Sequence, residues 1–204
     1  MERNYEREDF LKKALSSINF ACFKFEPFAF DSITSTQDFL AKEIKSSREG
    51  DFVTSRIQTK GKGREGREWV SDSGGLYLSL TLVPRLDIVD KIASMATGAV
   101  IDALDNFSLG GCYQKPPNDV FCNARKIAGV LVDVEIQGKE VLVYLGIGVD
   151  LNNGQEWNRE MKKIATSFIL ETGRSISIDR FLLTLLQSVD ASYANLQKDS
   201  INKA

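Results

Sequence analysis

The chain has 204 residues, 43% of them hydrophobic, with a formal net charge of −2 and no histidine. This length fits one domain with a sizeable core, and the near-neutral charge gives no sign of bulk nucleic-acid binding. The absence of histidine excludes histidine general bases, Ser-His-Asp triads and histidine metal ligands.

The three cysteines are Cys22, Cys112 and Cys122, and they show no CxxC spacing. Their odd number and irregular spacing predict reduced, buried thiols in a reducing compartment. No apolar run approaches the roughly 18 residues needed to span a bilayer. The charged start of the chain is not that of a signal peptide. We therefore expect a soluble, cytoplasmic protein that has no membrane partner.

The first 30 residues predict a helix and an extended segment. Residues 5–17 have the apolar spacing of a short helix, with Phe10 and Leu11 on its buried side, and residues 20–30 are rich in Phe. We interpret residues 1–30 as an extension of one domain that continues over residues 31–204.

A helix N-terminus is predicted at Thr34–Asp38. Thr34 with Gln37, or Ser35 with Asp38, has the spacing of a capping box, and apolar residues follow at helical spacing. Hydroxyls at a helix N-terminus can also contact a polar ligand, so capping and binding are compatible here.

Residues 51–58 predict a strand that leads into a glycine-rich, basic loop. Three glycines and three cations alternate within Gly61–Arg67. Glycine lets backbone N–H groups approach a ligand closely, and lysine and arginine bind phosphate or carboxylate. The composition favours a site for a small anion, although a basic, flexible surface loop remains the alternative.

The second half of the chain predicts further strands and helices. Residues 76–83 alternate as in a strand with one buried face, and residues 87–106 have helical spacing. Lys115 lies at the end of a predicted strand, before two prolines. A predicted hairpin joins 126–136 to 139–149, and two helices follow, with Gly173 and Asp179 as caps of 157–171 and of the last helix.

Four segments, in this order, resemble the biotin protein ligases over roughly residues 30–190. The loop matches the family pattern Gly-Arg-Gly-Arg-x-Gly-Arg-x-Trp, and Ser35-Thr36 match its Ser-Thr-Asn motif. The other two matches are to Lys-Trp-Pro-Asn-Asp followed by Lys-x-x-Gly, and to Gly-Ile-Gly-Ile-Asn-Val-Asn. The chain departs from these patterns at three positions: Gln37, Pro116 and Asp150.

The resemblance implies an α+β fold of the class II aminoacyl-tRNA synthetase type. We expect a mixed, mostly antiparallel sheet flanked by helices, with the helices on one face. Neither a winged-helix domain before residue 30 nor a C-terminal SH3-like domain is expected, so DNA-binding repression is not favoured.

The resemblance also implies the reaction. Biotin and ATP, with Mg²⁺, would form biotinyl-5′-AMP and pyrophosphate, and a lysine of a biotin carboxyl carrier protein domain would then displace AMP. The carrier would belong to a biotin-dependent carboxylase such as acetyl-CoA carboxylase. Neither step needs a protein nucleophile, so positioning and electrostatics should dominate. A homodimer is left open.

The resemblance implies three groups of site residues. Catalytic roles fall to Lys115 and Arg64. The biotin site would comprise Ser35, Thr36, Gln37, Gln58, Gly61, Lys62, Arg64, Lys115, Gly129, Gly146 and Gly148. The nucleotide site would comprise Arg64, Arg67, Trp69, Asn118, Lys126, Asp150 and Asn152. No residue is expected to hold a metal by itself.

Three alternatives remain. A lipoate or octanoate ligase would share the fold, but the Arg-Arg-x-Ser-Gly-Gly-Gly run of that branch is not in this sequence. A non-catalytic biotin-binding protein is suggested by the three departures and by the expectation that no C-terminal SH3-like domain follows. A biotin-responsive repressor is disfavoured for want of a helix-turn-helix.

Overall fold

The computed structural model describes residues 1–42, 44, 47–138, 140–157 and 159–201. The strands in this part of the chain are β1 (Glu2–Arg3), β2 (Glu26–Ile33), β3 (Asp51–Gln58), β4 (Leu76–Leu82), β5 (Tyr113–Lys115), β6 (Asp119–Cys122), β7 (Arg125–Gln137) and β8 (Glu140–Val149). The helices are α1 (Tyr5–Ser16), α2 (Thr36–Lys42), α3 (Ile92–Asn106), α4 (Arg159–Ile164), α5 (Phe168–Thr172) and α6 (Ile178–Ile201).

The strands of the described residues form one open sheet in the order β1-β2-β3-β4-β8-β7-β6-β5. Strands β2 and β3 run parallel because α2 lies in the connection between them, and the other neighbouring pairs are antiparallel. The predicted mixed, mostly antiparallel sheet is therefore confirmed.

The main core lies between one face of the sheet and helices α1, α3 and α6. Its α3 side is the predicted apolar stripe, in which Ile92, Ala96 and Val100 are fully buried. Burial of a side chain as large as Ile or Val contributes roughly 1.5–3 kcal/mol. On α1, Leu11 is buried as predicted, whereas Phe10 is 52% exposed and the prediction for it was wrong.

Helix α2 packs on the other face of the sheet, so the prediction that all helices lie on one face was wrong. A second apolar cluster forms there, in which Leu40 of α2 packs with Phe30 and Val53. Since successive residues of a strand point to opposite faces, β4 is buried on both, and all seven of its residues are buried rather than every second one. The short α2 covers only part of this face.

Two helix predictions change in detail. The predicted helix 157–171 is broken between α4 and α5, because the N–H of Thr166 donates to Lys126 O and Ser167 caps a new helix. Gly173 ends α5 in the left-handed conformation, as predicted. The cap of α6 is Ser177, whose hydroxyl accepts from the N–H of Arg180 at 3.3 Å. Asp179 is instead paired with Arg7.

The cysteine prediction was also wrong. A disulfide joins Cys112 to Cys122 across the start of the β5–β6 hairpin, with their Cα atoms 4.4 Å apart. The spacing of the cysteines did not predict this pair, because the two thiols are brought together by the strand register of the β5–β6 hairpin and not by a CxxC motif. The remaining thiol, Cys22, is exposed rather than buried. None of the described helices is both long and apolar enough to cross a membrane.

Candidate functional site

A cleft with a cavity volume of about 180 Å³ opens on the α2 face of the sheet, beside α2. Its floor is formed by β4, β7 and β8, and its rim by the loop that follows β3. Thirteen of the predicted site residues line it: Ser35, Thr36, Gln37, Gln58, Lys62, Arg64, Arg67, Trp69, Asn118, Lys126, Gly129, Gly146 and Gly148. Residues far apart in the sequence thus meet in one place.

We call residues 60–68 the basic loop. Its start is fixed beside α2, because the N–H of Lys60 donates to Thr34 O at 2.8 Å. The loop then folds back on itself: Gly63 N–H donates to Arg67 O and Trp69 N–H donates to Gly61 O. The loop is therefore a closed turn rather than an open, structureless segment.

Gly61 belongs to the basic loop but does not line the cleft. A Cβ at this position would stand 2.4 Å from both Trp69 O and Ser71 Oγ, so only glycine fits here. The tip is a 3₁₀ turn at Arg64–Gly66, in which Glu65 and Gly66 have φ of 58° and 73°. This left-handed pair turns the chain so that Arg64 faces the cleft.

Trp69 packs against two glycines of the floor. Gly129 of β7 is the direct partner of Gly148 of β8. A Cβ at Gly129 would stand 2.9 Å from Trp69 Cζ3, and one at Gly148 would stand 2.6 Å from Cε2. Both glycines are needed because the indole occupies the space of their side chains. The indole nitrogen is buried without a hydrogen-bond partner.

One end of the cleft is a connected set of hydroxyl and amide groups. Gln58 Oε1 accepts from both the N–H and the hydroxyl of Thr36, at 2.8 and 3.0 Å. The hydroxyl of Ser79 lies 2.9 Å from Thr36 Oγ1. Since the proton of Thr36 goes to Gln58, the proton of Ser79 must go to Thr36. The lone pairs of Ser79 therefore remain to accept from a ligand.

Gln37 adds a second acceptor at this end. Its Nε2 donates to Asp133 Oδ2 at 3.0 Å and to Tyr144 O at 2.7 Å, which fixes the orientation of the amide. Its Oε1 is buried and has no partner. Gly146 faces this oxygen, since a Cβ there would stand 2.9 Å from it. This end of the cleft therefore presents hydrogen-bond acceptors to a ligand and few donors.

The opposite side is cationic. Arg64 Nη1 donates to Asn118 Oδ1 at 3.2 Å, and Lys126 Nζ lies 2.7 Å from Asp119 Oδ1 and 5.0 Å from the Trp69 ring. The exposed Arg67 donates to the carbonyl of Arg64. These cations stand round the mouth of the cleft, where an anion would be held by several charge-assisted hydrogen bonds.

Lys62 connects the basic loop to α2. Its Nζ lies 2.7 Å from Asp38 Oδ1, an oxygen that also pairs with Lys42. Burial acts to raise the pKa of Asp38, but the hydrogen bonds from Lys42 and Lys62 outweigh it and lower that pKa below its ordinary value. An ionised Asp38 therefore holds the loop against the helix N-terminus.

Lys115 does not line the cleft. It is exposed on β5, and its ammonium lies 4.2 Å from the ring centre of Phe121, on the edge hairpin of the sheet. Asn152 is also outside, since its amide is bonded to both backbone groups of Ile176. Neither side chain contacts the cleft in this geometry. The roles of Lys115 and Asn152 therefore stay predictions.

Asp150 follows the end of β8 and does not line the cleft; it is only 5% exposed. Burial raises the pKa of its carboxyl to about 7, although the hydrogen bond from Asn153 and the charge of Lys126 oppose the rise. Burial likewise raises the pKa of Tyr77, whose hydroxyl donates to Asp72 O at 2.6 Å. With a pKa of about 7 the carboxyl is only partly protonated at neutral pH, and only the protonated form can donate a hydrogen bond as an asparagine would.

Several lining residues were not predicted from the sequence. They are Gly63, Glu68, Tyr77, Leu78, Ser79, Asp119, Val130, Leu131 and Ile147. For Tyr77 and Ser79 a signal existed, because they alternate with the leucines of β4 and so share the face opposite the main core. For Asp119 the signal was its position one residue after Asn118.

The chain is similar to known proteins in both sequence and structure. A family model described as the biotin/lipoate A/B protein ligase family matches residues 29–150. The bifunctional ligase/repressor BirA of Bacillus spizizenii is 32% identical over 72% of this chain and 47% of its own length. The biotin–acetyl-CoA-carboxylase ligase of Paracoccus denitrificans is 37% identical over 49% of this chain and 44% of its own.

Among solved structures, the biotin protein ligase from Aquifex aeolicus in complex with biotin and ATP superimposes with a TM-score of 0.76. It is 29% identical, and the match covers 86% of this chain and 73% of that one. The chain spans about half the length of the curated relatives it matches, 47% for the Bacillus protein. The chain belongs to the biotin/lipoate A/B protein ligase family.

Proposed function

We propose that the chain carries the catalytic site of a biotin–protein ligase. In this reaction the carboxylate of biotin attacks the α-phosphate of ATP, which gives biotinyl-5′-AMP and releases pyrophosphate. The amine of a carrier lysine then attacks the acyl carbon, and AMP leaves with the bonding electrons. The observation that carries the proposal is the two-ended cleft, with acceptors at one end and cations at the other.

The acceptor end fits the ureido ring of biotin. That ring presents two N–H groups, and the cleft presents the lone pairs of Ser79 and the buried, unpartnered Oε1 of Gln37. A ligand N–H would satisfy an oxygen that is otherwise costly to bury, since an unpaired buried polar group costs roughly 1–3 kcal/mol. The dithiolane ring of lipoate has no N–H and would leave both acceptors unpaired.

The cationic end fits a carboxylate and a phosphate. Gly146 and Gly148 mark the two ends on β8, two residues or about 7 Å apart. Near Gly148, Arg64 and Lys126 would hold the biotin carboxylate and the α-phosphate while negative charge accumulates in the transition state. Lys62 and Arg67 would support the basic loop and the outer phosphates.

The adenine would stack on the indole of Trp69, which lies between Lys126 and the glycine floor. Asn118 would position Arg64, to which it is bonded. The predicted catalytic role of Lys115 would require its ammonium to turn from the Phe121 ring toward the cleft. Asp150 does not line the cleft, so its predicted effect on the nucleotide would have to be indirect.

Mg²⁺ is proposed to enter with ATP. Among the described residues no group of three or more His, Cys, Asp or Glu side chains could hold a metal ion. Mg²⁺ at phosphate sites needs only one or two carboxylates besides the phosphate oxygens, and the carboxylates that line the cleft are Asp119 and Glu68. Its chemical contribution would be to neutralise charge on the phosphates of ATP.

The proposed acceptor of biotin is a biotin carboxyl carrier protein domain of a carboxylase. Two observations support this class of partner: the family membership and the name of the Paracoccus relative. A carrier lysine would reach the acyl carbon through the open mouth of the cleft, next to the basic loop.

The decisive test has two variants. Arg64→Gln removes a cation at the mouth, and Arg85→Gln is its matched control, since Arg85 is an exposed arginine that pairs with Asp87 away from the cleft. We expect biotin-dependent release of pyrophosphate from ATP by the wild type and by Arg85→Gln, and a loss of about 100-fold in Arg64→Gln. Equal turnover by Arg64→Gln and Arg85→Gln would reject the proposal.

A second candidate is a protein that binds biotin without turnover. The position of Lys115 outside the cleft favours it. Calorimetric binding of biotin without any release of pyrophosphate on addition of ATP and Mg²⁺ would support this candidate. Tighter binding of lipoate than of biotin would instead favour the lipoate branch and would contradict the assignment of the acceptor end.

A further inference from the structure

A second cavity lies away from the cleft, between α1, the start of α6 and the loop before β4. Its volume is about 280 Å³, and its lining includes Arg7, Arg56, Ser73, Ile178 and Asp179. Among the described residues, the two cavities share no lining residue. We call this cavity the Arg7 pocket.

Arg7 is the unusual feature of the pocket. It is only 6% exposed, yet it lies at its wall. Asp179 takes two of its nitrogens, with 2.8 Å to both Nε and Nη2. The third nitrogen, Nη1, is buried and has no hydrogen-bond partner. A buried donor without an acceptor is costly, and more so on a charged group.

The wall of the pocket also includes the start of a helix and a second arginine. Ile178 and Asp179 are the first residues of the 24-residue helix α6, and N–H groups of a first turn have no acceptor within their own helix. The positive end of the helix dipole lies there too. Arg56 adds a second, exposed guanidinium, which pairs with Asp31 at 3.2 Å. Each arginine is thus paired with one carboxylate, and Arg7 Nη1 is the guanidinium nitrogen left without an acceptor.

We propose that the Arg7 pocket binds a small tetrahedral oxyanion, a phosphate group. Arg7 Nη1 and the first turn of α6 would donate to its oxygens, and Arg56 would close over the open side. The shared chemistry fits both free phosphate and pyrophosphate, and the volume admits either. This site is separate from the proposed biotin and ATP cleft.

The experiment uses the full chain and titrates inorganic phosphate and pyrophosphate by calorimetry, without biotin. Ser73→Asp places a carboxylate at an exposed lining position, and Arg56→Gln removes the second cation. Arg85→Gln is the matched control for Arg56→Gln, because each loses an exposed arginine in one ion pair. Arg64→Gln reports on phosphate bound in the cleft.

We expect saturable binding of one phosphate group that weakens at least about tenfold in Ser73→Asp and in Arg56→Gln. Arg85→Gln and Arg64→Gln should retain it, and phosphate should raise the melting temperature of all proteins except the weakened variants. Tighter binding of phosphate or of pyrophosphate would identify which of these two anions the pocket takes. Binding that is lost only in Arg64→Gln, unchanged binding in Ser73→Asp, or no saturable binding in the wild type would each overturn the proposal.

Discussion

Gly148→Ala tests whether the floor of the cleft is shaped by Trp69. A Cβ at position 148 would stand 2.6, 2.7 and 2.9 Å from three atoms of the indole, closer than real contacts allow. Gly148 is not among the glycines with positive φ, so alanine suits its backbone. The strain must therefore fall on Trp69, which is partly exposed and can move away from the sheet.

The expected effect follows from the loss of the stacking surface. An overpacked residue costs about 1–3 kcal/mol if the neighbour is held, and less if it moves. A displaced indole would cost ATP roughly 1–3 kcal/mol of stacking, which is roughly 5- to 150-fold in affinity. Biotin, whose ring is placed at the Gly146 end, should lose less than about threefold. The variant therefore separates the two ends of the cleft.

The assay combines calorimetry with fluorescence. Calorimetry gives the affinities for biotin and for ATP with biotin present. The chain has two tryptophans, so a Trp157→Phe background isolates the emission of Trp69, which should shift to the red as the indole becomes exposed. The control is Gly98→Ala on α3, where an added Cβ meets nothing within 4 Å. It should bind normally and gain up to about 1 kcal/mol of stability. Unchanged emission and ATP affinity in Gly148→Ala would refute the reasoning.

Two further predictions concern the buried carboxyl of Asp150 and the disulfide. The unfolded carboxyl of Asp150 ionises near 3.8 and the folded one near 7, so the folded state binds the proton more tightly and loses stability as pH rises between these values. The free energy of unfolding of Asp150→Asn, measured with urea, should therefore rise by roughly 2–3 kcal/mol relative to that of the wild type between pH 5 and pH 8. A difference between the two proteins that does not change with pH would contradict the burial of this charge. Thiol titration of the unfolded, unreduced chain should find one of the three cysteines free, Cys22, and all three after reduction; three free thiols before reduction would contradict the disulfide.

Much of the fold follows from local patterns. The strand predicted at residues 51–58 has these bounds in the structure, and the helical stripe that begins at Ile92 is buried as expected. These elements were predictable because the period of their apolar residues reports which face is buried. The alternation in β4 was misleading, because it indicates the more apolar face and not whether the other face is also covered.

Features that depend on distant partners were not predictable. Asp179 has the residue type of a helix cap, but Arg7, 172 residues away, takes its carboxylate, and Ser177 caps the helix instead. The disulfide depends on the register of a hairpin in the same way. Asp179 and Ser177 both suit a helix cap, and the contact with Arg7 decides that Ser177 takes this role. The pairing of Cys112 with Cys122 is likewise decided by a contact that local sequence does not show.

Lys115 and Lys126 show that a match to a sequence motif does not by itself place a side chain in the cleft. Both lysines belong to segments that match the family pattern, but Lys115 lies on an edge strand beside Phe121, whereas Lys126 lies 5.0 Å from the ring centre of Trp69. Asp119 explains the difference. It is the register partner of Lys115 on β5 and of Gly129 on β7, and it pairs with Lys126. The carboxylate thus brings the ammonium of Lys126 to the mouth of the cleft, where charge would develop during the reaction. If Lys126 carries that role, Lys126→Gln should slow the release of pyrophosphate more than Lys115→Gln does, and the reverse order would return the role to Lys115.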